Sequence, residues 1–185
     1  MRKNFGARPY LYPQPVFILA AYDNEGKANA MNVAWGGIIE SNKISLCVGE
    51  GHKTVQNILG KHSFTVSMGT VDTVAACDYL GIVSGNDEPN KLEKAGFTIS
   101  KSEFVDAPII NELPMCLECK IVSYNLETSM MIGEIINVNA DESIITDGVI
   151  DYKKLKAISY DPVNHLYLKI GEKVGHAFED GKKLK

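Results

Sequence analysis

Short apolar runs broken by turn residues dominate the chain, a pattern that predicts a mainly β protein with a few helices. "PVFILAAYD", Pro15 to Asp23, reads as a largely buried strand. The "NEGK" that follows has turn chemistry and predicts a hairpin returning into "ANAMNVAW", Ala28 to Trp35. Further strands are predicted in "KISLCVG" (Lys43 to Gly49), "HSFTVSM" (His62 to Met68) and "MCLECKIVSY" (Met115 to Tyr124). "MMIGEIINVNAD" (Met130 to Asp141) and "NHLYLKI" (Asn164 to Ile170) complete the set.

Helices fill the gaps. "KTVQNILGK" places Val55, Ile58 and Leu59 on one face, with Thr54 as the expected N-cap and Gly60 as the stop. "DTVAACDYLG" is expected to begin at Asp72 and end at Gly81. "NKLEKAGF" offers Asn90 as cap, Glu93 three residues later and Gly96 as terminator, a pattern like a capping box. So many strands with so few helices favour closure into a barrel, which hides strand edges.

Composition narrows the class. At 185 residues the chain is expected to form one domain over 1–185, and its 45% hydrophobic and 23% charged residues are those of a globular protein. The net charge of −4 argues against binding to nucleic acid or an anionic membrane. No apolar run approaches the ~18 residues a membrane span needs, and "MRKNFGARPYLYPQP" has no signal-type apolar core before its prolines. A cytoplasmic location is the expectation. Cys116 and Cys119 form a C-x-x-C, but the flanks read as strand, where residues three apart face opposite ways. Reduced cysteines are favoured there over a metal or thiol-redox site, and no metal is expected.

Three helix beginnings are candidates for anion binding, because the first N–H groups of a helix lack partners. "GEGHKTVQNI" leads a strand through Gly49 and Gly51 into a helix and brings His52, Lys53 and the Thr54 hydroxyl to its mouth. It is not a Walker loop, and by itself such a stretch is more often just a capped surface helix than an anion site. "SGNDEPNKL" offers Ser84, Gly85, Asn90 and Lys91, and alone reads as a polar loop. The start at Asp72 has an acidic cap and is structural. "NAMNVAWGG", Asn29 to Gly37, lacks β-branched bulk and carries two carboxamides beside the chain's one tryptophan. It fits either a strand presenting its backbone to a flat polar ligand or an edge strand ending in a buried Trp. Hydrolase and dinucleotide fingerprints are missing: there is no G-x-S-x-G, H-E-x-x-H or G-x-G-x-x-G.

Taken in order, these pieces resemble the flavin reductase-like, FMN-binding split-barrel family, and within it the flavoredoxin branch. The matching stretches are "YPQPVFILAAYDNEGKANAMNVAWGG", "GHKTVQNI", "FTVSM", "YLGIVSGNDEPNKLEKAGFT", "DAPIINELPMCLECKIV", "IGEIINVNADES" and "YLKIGEKVGHAF". They run from about Pro9 to Phe178; each is weak singly, and their order makes the resemblance specific. The resemblance implies a six-stranded Greek-key-type barrel with peripheral helices, a homodimer, and FMN near the subunit interface. Asn29, Ala30, Met31, Asn32, Val33, Ala34 and Trp35 would line the flavin ring, largely through main-chain groups. Cys47, Val48 and Gly49 would border it, Lys53 and Thr54 would take the phosphate or ribityl end, and Asn57 would support them. Ser84 and Lys91 match a second phosphate-reaching segment, and Tyr167 a C-terminal aromatic near the site. The resemblance thus implies an oxidoreductase of the NAD(P)H:flavin reductase type, or a carrier that exchanges electrons with a reduced partner. One departure bears on that choice: Thr128 stands where many family reductases have a histidine near the flavin. A non-catalytic FMN-binding electron-carrier module would not need that histidine.

Overall fold

The structure, a computed structural model, describes residues 1–185. The chain opens with β1 (Gln14–Pro15), β2 (Phe17–Tyr22), β3 (Ala28–Val33), β4 (Gly36–Glu40) and β5 (Lys43–Cys47). Then come α1 (Lys53–Lys61), β6 (Ser63–Met68), α2 (Val74–Ile82), α3 (Lys91–Lys94), β7 (Ile99–Lys101) and β8 (Pro108–Ile110). The second half holds the long pair β9 (Met115–Asn125) and β10 (Met130–Ala140), followed by β11 (Ile145–Thr146) and β12 (Val149–Ile150). It ends with α4 (Tyr152–Leu155), β13 (Ile158–Asp161), β14 (Leu166–Lys169) and a terminal 3-10 turn. No helix is long and apolar enough to cross a membrane.

One antiparallel sheet dominates, with strand order β3-β2-β6-β9-β10-β5-β4. Its end strands β3 and β4 are separated by only Ala34 and Trp35, and Cys47 N–H donates to the Trp35 carbonyl at 2.8 Å. The sheet therefore curls into the expected split barrel, with a seam where β3 passes into β4. It contains one strand more than the six expected. The extra strand, β4, grows from Gly36 and Gly37, and a Cβ on Gly36 would lie 2.7 Å from both Leu46 Cδ2 and the Ser45 carbonyl. Only glycine lets β4 approach β5 so closely.

Strand alternation builds two cores. Leu19 and Ala21 of β2 turn into the barrel with Leu46, Val55, Ile58, Phe64, Val66 and Met131. Ile18 and Ala20 turn outward and are buried with Ala30, Cys77, Leu80, Leu92 and Phe97 beneath α2 and α3. Burial on both faces explains why "FILAA" is continuously apolar. Cys119 joins the inner core while Cys116 faces the other way, so the strand geometry expected for the C-x-x-C is what the structure has. Both thiols are buried and free, and desolvation pushes each up to about 12. Neither is a ready nucleophile at neutral pH.

Helix ends differ from the expectations in instructive ways. Helix α1 is capped by His52, not Thr54, and His52 gives no side-chain cap. Thr54 is instead buried and accepts a hydrogen bond from Asn29 Nδ2 at 2.8 Å. Gly60 lies inside the helix, which ends at left-handed His62, whose N–H donates to the Ile58 carbonyl. Asp72 belongs to a short 3-10 turn before α2, and α2 runs through Gly81 to Ile82. Gly81 is there for packing, since a Cβ would come within 3.2 Å of Asn32 Cβ. Asn90 does occupy the cap position of α3, but its side chain accepts from Lys27 Nζ. Gly96 terminates that helix with a φ of 77°.

Gly133 tests the packing. A Cβ there would sit 2.5 Å from Phe64 Cζ, inside the barrel core. Gly133→Ala should destabilise the fold by roughly 1–3 kcal/mol through overpacking. Urea unfolding measures this, and a change within ~0.5 kcal/mol, the usual range for an unconstrained surface site, contradicts the packing described.

Candidate functional site

The seam of the barrel opens into a cleft of about 360 Å³. Four pieces of chain build it. Strand β3 and its extension supply Asn29, Met31, Asn32, Val33, Ala34 and Trp35. The end of β5 supplies Cys47, Val48 and Gly49, and the start of α1 supplies His52, Lys53 and Thr54. The last turn of α2 and the loop beyond it give Leu80, Gly81, Ile82, Val83, Ser84 and Gly85, with Lys91 reaching in from α3.

The α1 end is electropositive by construction. The first turn holds no acidic residue and no side chain caps it, so its leading N–H groups are open to an anion. Lys53 stands beside them, two-thirds buried, with Asp23 Oδ2 4.0 Å from its Nζ. Asn29 ties this corner to β3 through its bond to Thr54. The loop presses on the same carboxamide: a Cβ on Gly85 would lie 2.4 Å from Asn29 Oδ1.

Lys91 is 2% exposed, and its Nζ donates to the Leu80 and Val83 carbonyls at 3.1 and 2.8 Å. It clamps the carbonyl end of α2, which would otherwise turn negative partial charge toward the cleft. No carboxylate faces it in compensation, and burial lowers its pKa to about 8. An ammonium has three N–H groups, so two carbonyls leave one free.

At the other end Trp35 is 44% exposed, and its indole is available for stacking. Of the two readings of "NAMNVAWGG", a buried terminal Trp is therefore the one to drop. The turn carrying Thr128 borders the cleft here: the Thr128 carbonyl is 3.8 Å from Cys47 Sγ, and the Ser129 carbonyl accepts from Val48 N–H at 2.8 Å.

Three of the residues that the resemblance assigned to the flavin lie off the cleft wall, as does Asn90. The Ala30 side chain is fully buried beneath α2, which leaves it only main-chain groups to offer. Asn57 is buried, donates to the Ala21 carbonyl at 3.4 Å, and lines a smaller adjoining hollow with Lys27, Lys53 and Asn86. The Tyr167 hydroxyl donates to Asp78 at 2.8 Å and receives Asn32 Nδ2 at 3.4 Å. Burial and the Asp78 hydrogen bond push its pKa up, so it stays protonated. Conversely, the last turn of α2 was not anticipated. Its contribution is main-chain carbonyls and small contacts, for which side-chain patterning gives no signal.

A cleft at the seam of a split barrel, with an amide-rich positive corner and a stacking ring, defines a class of protein. Residues 9–156 match the flavin reductase like domain, and the chain belongs to that family. The fold of flavoredoxin from Desulfovibrio vulgaris (Miyazaki F) superimposes with a TM-score of 0.93 at 36% identity, covering 98% of this chain and 100% of that one. Flavoredoxin from Methanosarcina acetivorans gives 0.90 at 28% identity over 100% of both chains. An FMN-binding domain of a flavin reductases-like enzyme from Shewanella baltica OS155 shares the fold at 22% identity, with a TM-score of 0.79 over 88% and 89% of the two chains. The protein is thus a flavin-binding redox protein of the flavin reductase-like family, similar to flavoredoxins.

The buried amine has a measurable signature. Its folded pKa, about 8, is below the ordinary lysine value of 10.5, so the unfolded chain holds more protons between those pH values. Stability contributed through Lys91 therefore rises as pH goes from about 8 to 10.5. The stability difference between the wild type and Lys91→Met should shift in the wild type's favour over that window, by chemical denaturation at each pH. Taking the difference separates Lys91 from the buried thiols, whose raised pKa values act oppositely. A pH-independent difference contradicts an uncompensated buried ammonium.

Proposed function

We propose that the chain, acting as one unit over residues 1–185, holds FMN in this cleft. There it passes electrons between NAD(P)H or a reduced carrier and an acceptor. The observation that carries the reading is the pairing, in one cleft, of an uncapped helix start and two lysines with a half-exposed Trp beside an edge strand. FMN joins a phosphate dianion to a flat ring with polar edges, and the residues fit both parts. Lys53, the Thr54 hydroxyl, the α1 amides and the spare N–H of Lys91 would hold the phosphate, with Ser84 beside them. Main-chain groups of β3 along its open edge, with Trp35, Val48 and Gly49, would hold the ring. Asn29 and Asn57 would act from behind, keeping α1 against β3. When bound, the flavin supplies the electron-transfer chemistry; the protein orients it and sets its charge environment. The cleft volume falls in the range of roughly 300–1,000 Å³ usual for small-ligand sites.

The protein is also proposed to act as a homodimer. Ile38 and Ile39 of β4, Val122 of β9, and Ile136 and Val138 of β10 are exposed apolar side chains near the barrel surface, as a subunit interface would require. Thr128, whose side chain lacks an imidazole, favours a reduced protein carrier over NAD(P)H as electron donor. Rapid mixing of FMN-loaded protein with NADH, NADPH and a reduced carrier decides: fast flavin bleaching by either nucleotide makes it a reductase.

Two outcomes test the site. Purified protein should take up stoichiometric FMN with a shifted flavin absorption band, and no uptake at all sinks the proposal. Lys53→Ala and Lys91→Ala should each weaken FMN by roughly 1–3 kcal/mol and reduce the salt dependence of binding. Unchanged affinity in both, by fluorescence quenching titration, refutes the phosphate assignment.

A further inference from the structure

Beside the cleft, and sharing Asn32, Ala34, Gly81 and Ile82 with it, lies a second hollow of about 400 Å³. Its far wall is formed by Tyr160, His165, Tyr167 and Asp78. The cleft's anion chemistry uses none of them. Tyr160 and Tyr167 are directly paired across β13 and β14, with ring centroids 6.2 Å apart at 52°. The His165 ring lies 6.3 Å from that of Tyr160, and its Nδ1 is 2.7 Å from the Tyr160 hydroxyl.

This wall is held rigidly. Asp161 Oδ1 accepts from the N–H groups of Val163 and Asn164 at 2.8 and 3.2 Å, and Oδ2 accepts from Asn164 Nδ2 at 2.8 Å. That turn delivers His165 in a left-handed conformation, with φ of 57°. The Tyr12 hydroxyl also donates to Asp161, which ties the turn to the N-terminal segment. The Tyr167 oxygen is committed to Asp78 and Asn32. The Tyr160 oxygen has His165 as its one partner and keeps hydrogen-bonding capacity. An aromatic wall thus carries one hydroxyl with a bond left to make.

We propose that this hollow is an acceptor site for a compact, uncharged, planar carbonyl compound of the aryl ketone or quinone class. The ligand ring lies against Tyr160 and Tyr167. Its carbonyl oxygen accepts from the Tyr160 hydroxyl, while His165 donates Nδ1–H to the same phenol oxygen. Asp78, the hollow's one carboxylate, disfavours an anionic ligand. The binding site stands on the hollow alone; its role as the place where electrons leave rests on the flavin reading above.

The test uses acetophenone as the probe, titrated into full-length protein with labelled Tyr, His and Trp side chains and followed by NMR. Acetophenone should produce saturable shifts at Tyr160, His165 and Tyr167. Tyr160→Phe keeps the ring and loses the hydroxyl, and should weaken acetophenone about five- to tenfold, the size of one neutral hydrogen bond. Benzoate, with the same ring and a charge, should bind at least ten times more weakly than acetophenone. Non-saturating shifts, shifts confined to Trp35, or equal affinity in Tyr160→Phe would each overturn the proposal. FMN titration in parallel separates the two readings. FMN affinity should be unchanged in Tyr160→Phe. If the wild type fails to take FMN yet acetophenone still saturates these rings, the flavin reading falls and the hollow stands as a site.

Discussion

The amide end of α1 and the carbonyl end of α2 open onto the same cleft, and Lys91 makes that arrangement compatible with an anion. Helix dipoles of opposite sense would largely cancel at a shared site. With the α2 carbonyls taken up by a buried ammonium, the positive corner prevails. The energetics are close. Hydrogen bonds to a charged group contribute roughly 1.5–3 kcal/mol each, against a burial cost of several kcal/mol for an unpaired ion. Burial lowers the Lys91 pKa to about 8. A bound anion would tip it toward the charged form.

The second constraint is spacing. Gly85 leaves no room for a side chain against Asn29, and Asn29 in turn fixes Thr54 on α1. Loop, edge strand and helix start are thereby locked at one separation. Asn86 adds a further strut, donating from Nδ2 to the Gly51 carbonyl at 3.0 Å. The cleft exists because the barrel is split. Where β3 leaves the sheet and passes through Ala34 and Trp35 into β4, one row of strand backbone is left without a neighbouring strand. A closed barrel would have consumed those groups in a ladder.

Much of this was legible in the residues. The apolar runs located the principal strands because burial on one or both faces leaves a periodic or continuous signature. "GHKT" and "SGNDEPNK" could be recognised separately as helix mouth and polar loop, but nothing local brings Lys53 and Lys91 to one cleft. That convergence was reached through the order of motifs. The Thr54 cap was misjudged because Asn29 claims its side chain, whereas Asn90 does sit at the cap of α3 although Lys27 takes its side chain. β4 and β13 escaped notice because a Gly-Gly start and a run as short as "ISYD" carry little strand signal. Tyr167 was singled out, yet its partner Tyr160 and the His165 turn were not. Their meaning depends on a cross-strand register that spacing alone does not reveal.

The cleft and the hollow divide their chemistry by charge. The cleft has an electropositive corner with no carboxylate among its lining residues. The hollow has Asp78, two phenols and an imidazole. Asn32, Ala34, Gly81 and Ile82 line both, and a Cβ on Gly81 would come tightly against Asn32 Cβ, at 3.2 Å. A ligand in the cleft and one in the hollow would therefore share these four neighbours. The Thr128 side of the cleft offers main-chain carbonyls near Cys47 and Val48, and the Tyr124 hydroxyl donates to the Val48 carbonyl at 2.8 Å. Of the two imidazoles here, His52 stands at the α1 mouth in the cleft and His165 on the hollow's wall. The electropositive corner and the hollow's two phenols are therefore on different walls.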